Sequence, residues 1–278
     1  MNNPTFDIRR HHAKIARAER RSEKGAGFLH AEAAQIIGER LAVTNRQFEA
    51  MALLFDGQFS ELIENRLMAE NPPIKGPIVK IQKPTDENAI LALEPKSLDL
   101  IISVFDLHRL NNLPELLLQI HHALKADGLF MAIFPCEGTL KELRTVLLNA
   151  EAETASGVSP RVDLFPHIRQ LGDLVRKIDF KLPVVDLEER VVRYSNLDNF
   201  IKDVRDIGSG NSNNGDIHPL IRSTWDTAKK IYNNDYSDPD GKLRVTIAMG
   251  CVSGWKEDRS QQKPLKPGSA KAKLSDFL

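Results

Sequence analysis

Two nearly continuous apolar segments in the middle of the sequence limit the folds that are open to it. Leu98–Val104 and Leu129–Phe134 contain few polar residues, a pattern typical of parallel strands that helices cover on both faces. Between them, Asn112 begins an amphipathic helix that is expected to reach Leu124 and to end at the turn signal 127–128. This strand–helix–strand succession predicts a right-handed crossover in an open, mostly parallel sheet of the α/β class.

Further strands and helices are predicted on both sides of this unit. Phe48–Phe55 and Pro77–Gln82 are expected to be strands, and Val184–Tyr194 and Lys242–Trp255 are expected to pair antiparallel at one edge of the sheet. The predicted helices are Arg9–Lys24, Phe28–Leu41, Phe59–Met68, Thr139–Glu153, His167–Ile178, Leu197–Ile207 and Pro219–Tyr232. The chain then divides into a helical arm (1–47), an α/β domain (48–255) with a helical insertion (197–234), and a tail (256–278).

Bulk composition excludes some functions. The formal net charge is +0, so no whole-protein field attracts nucleic acid or an anionic membrane. No apolar run approaches the ~20 residues that span a bilayer. The basic N-terminal segment lacks a secretory apolar core and contains acids that transit peptides avoid. Cys136 and Cys251 lie in strand-like segments and are interpreted as buried free thiols, which fits a protein of the bacterial cytoplasm.

The loop after the first strand is the first candidate cofactor site. It reads Asp56-Gly57-Gln58-Phe59 and contains a single glycine. One interpretation is that its amides face a ligand at the N-terminus of the next helix; the alternative is an ordinary βα turn. Phe59 is expected to intrude on any ligand bound there.

Other candidate residues follow predicted strands. Asp106 and His108 come after Leu98–Val104, at the end of a parallel strand where ligands bind in open sheets. His108 is a candidate base or orienting group, or else a hydrogen-bonded loop histidine. Arg193 and Tyr194 end a late strand and are candidates for holding an anionic or guanidinium-bearing substrate; the alternative is structural packing.

No metal site is predicted. The adjacent pairs His11-His12 and His121-His122 lie on predicted helices, and neighbouring helical side chains point about 100° apart, so neither pair can chelate one ion. In the tail, lysines at 263, 266 and 271 are interpreted either as a contact for an acidic partner or as solvated charges.

Several segments together resemble one known family. They are SLDLIIS (97–103), LHRLNNLP (107–114), QIHHALKADGLFMA (119–132), ETASGVSPRV (153–162), DVRDIGSGN (203–211) and SGWKEDRSQQKPLKPGSA (253–270). They resemble the class I methyltransferase-like family of respiratory complex I assembly proteins, in its alphaproteobacterial branch. That family includes an arginine hydroxylase acting on a complex I subunit, and the chain is more distantly similar to malonyl-carrier-protein methyltransferases. The resemblance implies a Rossmann-like methyltransferase sheet, S-adenosylmethionine as cofactor and a complex I subunit as partner.

The chain departs from the family pattern at the cofactor end. The family's first strand runs into a glycine-rich loop, because the backbone must approach the nucleoside without a Cβ in the way. Here the matching residues, 53–59, read LLFDGQF. The interval from Asp56 to Ser103 is short, so the sheet is expected to be truncated by one βα unit. After the second predicted strand, Pro77–Gln82, the nearest acids are Asp86 and Glu87. They are the candidates to match the acidic segment that lies near the adenine in the family.

Three functions follow as hypotheses. The first is an active methyltransferase on an unknown substrate, and the second is an arginine hydroxylase-like complex I assembly role. The third, which the eroded loop favours, is a degenerate family member that binds a protein partner with weak or lost methyl transfer.

Overall fold

The computed structural model describes residues 4–21, 25–55, 57–82, 91–155, 157–215 and 217–262. Six strands form one sheet: β1 (Met51–Phe55), β2 (Ile78–Gln82), β3 (Leu98–Val104), β4 (Leu124–Pro135), β5 (Lys181–Tyr194) and β6 (Leu243–Trp255). Eight helices surround it: α1 (Ile8–Arg21), α2 (Phe28–Ala42), α3 (Ser60–Met68), α4 (Leu113–Ala123), α5 (Lys141–Thr154), α6 (Ile168–Lys177), α7 (Leu197–Asp206) and α8 (Arg222–Asp235).

The strand order is β2-β1-β3-β4-β6-β5. β1 pairs parallel with both β2 and β3, and β3 pairs parallel with β4. β6 runs antiparallel between β4 and β5, which confirms the predicted α/β class with an antiparallel edge. Within the described residues a single helix, α3, and a single strand, β2, lie between β1 and β3.

Alternation along the inner strands explains the two-sided core. Leu100 and Ile102 of β3 pack on one face with α2, α3, α5, α7 and α8, whereas Ile101 packs on the other with α4 and α6. Every residue of β3 is buried, because helices cover both faces of a central parallel strand. Helix α2, which the sequence assigned to an N-terminal arm, has eight buried residues, and six of them belong to the core on the first of these faces.

One local prediction was wrong. The turn signal at 127–128 does not separate a helix from a strand: β4 begins at Leu124, directly after α4. The signal marks an irregularity in the pairing of β3 with β4, where Asp127 adopts a positive φ of 59°; a bulge needs the same turn-forming residues. At the start of α7, Asn196 provides the cap by accepting the Asn199 amide at 2.9 Å.

Candidate functional site

The crevice where an open sheet of this kind binds ligands lies at the carboxyl ends of β1 and β3. From β1 the chain passes through α3 to β2 on one side and then returns to β3 on the other. Ligands bind where the strand order reverses in this way. Gly57, Gln58 and Phe59 follow β1, and Phe105 follows β3, so these residues form the floor of the crevice.

An aromatic stack occupies this crevice. The His30 ring from α2 stacks on Phe59 with ring centroids 4.5 Å apart and planes inclined by 28°, and it meets Phe105 edge-on at 5.1 Å. His30 and Phe59 are each only 8% exposed. Phe105 has a φ of 54°, a conformation that costs a non-glycine residue strain and often marks functional loops. The three rings together form a structure that we call the aromatic plug.

Burial determines the charge state of His30, the one titratable ring of the aromatic plug. Desolvation lowers the pKa of His30 to about 4, because removing the ring from water disfavours its charged form. Its Nδ1 has no hydrogen-bond partner among the described residues. His30 is therefore a neutral, stacked ring at physiological pH.

Helices α1 and α7 close over the βα turn. Gly57 has a φ of 85°, and a Cβ placed on it would lie 3.3 Å from Ile15 of α1. Gln58 donates from Nε2 to the Asp206 carbonyl at the end of α7, at 3.2 Å. Two of the predicted cofactor residues, Gly57 and Gln58, thus lie together in this turn. The other three, Asp56, Asp86 and Glu87, lie outside the described residues.

A small apolar cavity of about 60 Å³ lies beside the plug, and it brings together two of the predicted catalytic residues, His108 and Tyr194. His108 is buried in the short 3₁₀ turn Leu107–Arg109. The Tyr194 hydroxyl donates to Asp203 Oδ2 at 3.0 Å. Burial, and then the Asp203 charge, raise the pKa of Tyr194 far above its ordinary value, so this phenol orients or donates and is not a base. Asp106 is also buried at the start of the 3₁₀ turn.

The fourth predicted catalytic residue, Arg193, lies elsewhere. Its side chain is exposed and pairs with Asp238, at 2.6 Å from Nε, and with Asp240 in the turn before β6. It does not line the cavity.

We expect Arg193→Ala to leave the melting temperature and any ligand binding at the cavity as in the wild type. Exposed ion pairs contribute little to stability, and this one does not contact the cavity. Differential scanning fluorimetry checks the first point. Tyr194→Phe serves as the contrasting variant within the cavity. An equal effect of both substitutions on ligand binding would contradict the position of Arg193 outside the cavity.

A buried ion pair joins the segments that carried the family resemblance. Arg109 Nε lies 2.5 Å from Asp163 Oδ2, and both side chains are at most 5% exposed. Asp163 Oδ1 accepts the Ser212 amide at 2.5 Å, and the Arg109 guanidinium donates to the Ser209 carbonyl at 3.3 Å. The pair ties the 3₁₀ turn after β3 to the loop that follows α7, and so holds the helical insertion over the cavity.

Sequence reasoning did not identify the residues that shape the site most. Arg109 lay inside a quoted segment, and Asp163 directly followed another, but neither was singled out. His30 carried no signal of its own, because a histidine within a helical stripe gives no indication of what it stacks on.

The described residues hold no group of three or more His, Cys, Asp or Glu side chains that could bind a metal ion. Cys136 and Cys251 are free and buried, and burial raises their pKa values to about 11 and about 12. Both are therefore inert thiols. In the described part of the chain, no helix combines the length and the hydropathy needed to cross a bilayer.

The strand order, the antiparallel β6 and the helical layers define a Rossmann-like class I methyltransferase fold. No protein-family model matches the sequence. The methyltransferase-named protein RP459 of Rickettsia prowazekii is 30% identical over 153 residues, which are 55% of this chain and 67% of that protein. The chain belongs to the class I methyltransferase-like family.

Two further relatives refine this placement. The mitochondrial arginine-hydroxylase NDUFAF5 of Dictyostelium discoideum is 35% identical over 192 residues, which are 69% of this chain and 44% of that protein. The malonyl-[acyl-carrier protein] O-methyltransferase of Laribacter hongkongensis is 28% identical over 179 residues, 64% of this chain and 58% of that protein. The chain thus spans about half the length of these relatives. The predicted resemblance to both groups is confirmed.

Proposed function

We propose that this chain is a methyltransferase-family protein whose methyl transfer is weak or lost and whose role is to bind a protein partner. The observation that carries the proposal is the aromatic plug. Its rings from α2, the β1 loop and the β3 end occupy the crevice in which the family's cofactor is expected.

The residues present do not fit S-adenosylmethionine. A nucleoside in this crevice needs backbone that comes close without side chains, and the loop offers Gly57 alone before the buried Phe59. Helix α1 already contacts Gly57 through Ile15. Binding the cofactor would require His30 and Phe59 to leave a stacked, desolvated arrangement.

A protein partner is supported by the relatives. One of them is named a mitochondrial arginine-hydroxylase. By analogy, the partner proposed here is a respiratory complex I subunit, and the role is that of an assembly factor.

Two alternatives have support of their own. An active methyltransferase is favoured by the apolar cavity, which places His108 and Tyr194 beside the ends of the central strands. An arginine hydroxylase-like activity is favoured by the similarity to the Dictyostelium protein.

Titration calorimetry with S-adenosylmethionine separates the proposal from the first alternative. We expect no binding heat up to millimolar ligand, and the same result with S-adenosylhomocysteine, because the plug excludes the nucleoside. A dissociation constant in the micromolar range would overturn the proposal. Gly57→Val is the matched variant: it strains a positive-φ turn, so loss of a measured affinity in this variant would place the cofactor at the β1 loop.

A further inference from the structure

A strongly basic groove adjoins the candidate cavity, between α1, the helical insertion and α5, and it shares Leu140, Phe165, Val204 and Ser209 with that cavity. It consists of two adjoining depressions of about 530 Å³ and about 210 Å³ that share Arg205 and Gly210. Its charged lining contains six cations, Lys14, Arg17, Arg21, Arg161, Arg205 and Arg222. One acid, Asp163, also lines it, although the whole chain has a formal net charge of +0.

Some of these cations are already neutralised, whereas others are not. Arg161 pairs with the buried Glu151, and Arg21 lies 3.2 Å from the buried Asp206. Asp163 is engaged by Arg109. Arg17 and Arg205 are exposed, and neither guanidinium makes an ion pair or a hydrogen bond within the described part of the chain. Arg205 is near enough to Asp198 to contribute to lowering the pKa of that carboxyl, behind Lys229 and Trp225. The groove therefore presents two free guanidinium groups that face the same depression.

The positive charge of the groove also acts on Lys14. It belongs to α1, and its Nζ donates to the Asn211 carbonyl in the loop after α7. Burial lowers its pKa to about 8, and the nearby Arg109, Arg10 and Arg17 add to this effect against the opposing charge of Asp163. An anion bound in the groove would relieve this repulsion.

The larger depression adds an apolar wall. Leu143, Leu147, Val204 and Trp225 line it, and Leu220 at its rim is 39% exposed. The combination of a concave apolar wall with unpaired arginines at one end fits a side chain of leucine or phenylalanine next to a carboxylate.

We infer that this basic groove is the docking surface for an acidic, extended peptide segment of a partner protein, with a bulky apolar residue seated against the Trp225 wall. The inference rests on the proposed protein-binding role and names the surface and the chemistry of the partner. A free phosphate would use the basic end and leave the apolar wall empty. A nucleic acid would need a basic track longer than this closed depression.

Fluorescence anisotropy with a labelled peptide tests the inference. The probe is a peptide of about twelve residues in which glutamate alternates with leucine and phenylalanine, and its twin has glutamine in place of glutamate. We expect the acidic probe to bind and to weaken as salt is raised, and the neutral twin to bind at least about tenfold more weakly.

The double variant Arg17→Gln/Arg205→Gln removes the two unpaired charges. We expect it to weaken the acidic probe about tenfold, while Leu220→Ser weakens both peptides. The matched control is Arg169→Gln/Arg176→Gln, which removes two exposed charges from α6 on the opposite face of the sheet and should leave binding within about twofold. Circular dichroism confirms that each variant is folded.

Four outcomes would overturn the inference. The acidic probe does not bind, or its neutral twin binds equally well. Alternatively, the two double variants lose the same affinity for the acidic probe, or inorganic phosphate or a single-stranded oligonucleotide displaces that probe completely. A different result would contradict the proposed function. If S-adenosylmethionine binds with micromolar affinity and the acidic peptide still binds, the proposal that methyl transfer is weak or lost is wrong, whereas the proposed docking surface stands.

Discussion

Replacing Asp163 with alanine is expected to lower the free energy of unfolding by about 3–5 kcal/mol. The substitution leaves the Arg109 guanidinium buried without its carboxylate and takes the acceptor from the Ser212 amide. A buried charge without a partner costs more than the pair itself contributes, because neither water nor a counter-ion replaces the lost carboxylate. Urea denaturation followed by circular dichroism measures the change.

The matched variants for this prediction are Asp179→Asn and Arg109→Met/Asp163→Leu. Asp179 is an exposed acid beside Lys181 with a φ of 72°. Asparagine tolerates this φ, so removal of the charge is expected to have little effect. The double variant removes both charges and fills the space with apolar atoms, so it should recover most of the lost stability. A loss after Asp163→Ala no larger than that after Asp179→Asn would show that the pair does not hold the insertion in place.

The second large effect that we expect is a dependence of the free energy of unfolding on pH, caused by His30. The pKa of its buried ring is lowered to about 4, whereas an unfolded histidine titrates near about 6.5. Below pH 6.5 the unfolded chain binds a proton that the folded chain cannot bind until the pH approaches 4, so stability falls as the pH falls through this window. From about pH 7 to about pH 5 the loss from this residue is expected to be roughly 2 kcal/mol.

His30→Leu tests this contribution by removing the titrating group while keeping a buried apolar side chain. Denaturation midpoints measured at both pH values should show the variant losing about 2 kcal/mol less than the wild type. His218→Leu is the control, because His218 is exposed, and it should follow the wild-type profile. Parallel pH profiles for the wild type and His30→Leu would mean that the plug opens to water.

The plug links stability to the proposed function. If His30 and Phe59 separate readily at neutral pH, the crevice becomes accessible and cofactor binding gains support; if they remain stacked, the exclusion of a nucleoside is part of the folded state. The same two residues therefore determine the acid sensitivity of the fold and its ligand capacity.

Much of the fold could be predicted because apolar patterning is local. The continuous run Leu98–Val104 identified a central strand, and the observed strand has the same bounds. The antiparallel pairing of the last two strands also followed from their alternation and order. The prediction failed at 127–128, where the same residue types serve a turn and a bulge, and only the partner strand decides between them.

The candidate site was predicted less completely. His108 was predicted at the carboxyl end of a parallel strand, where ligands bind in open sheets; that Tyr194 lines the same cavity as His108 is visible only in the structure. The partners that define their surroundings, such as Asp163 and His30, are far away in the sequence and gave no periodic signal.

The sequence by itself determined the class of fold, the antiparallel edge, the loss of loop glycines and the family, because these depend on residue type and spacing along the chain. The tertiary structure alone decided that three rings from separate elements fill the crevice, that Arg109 is paired with Asp163, and that unpaired arginines of α1 and α7 meet at one groove. The physical reason is that stacking, desolvation and charge pairing depend on distances through space, which chain folding sets between residues that the sequence keeps apart.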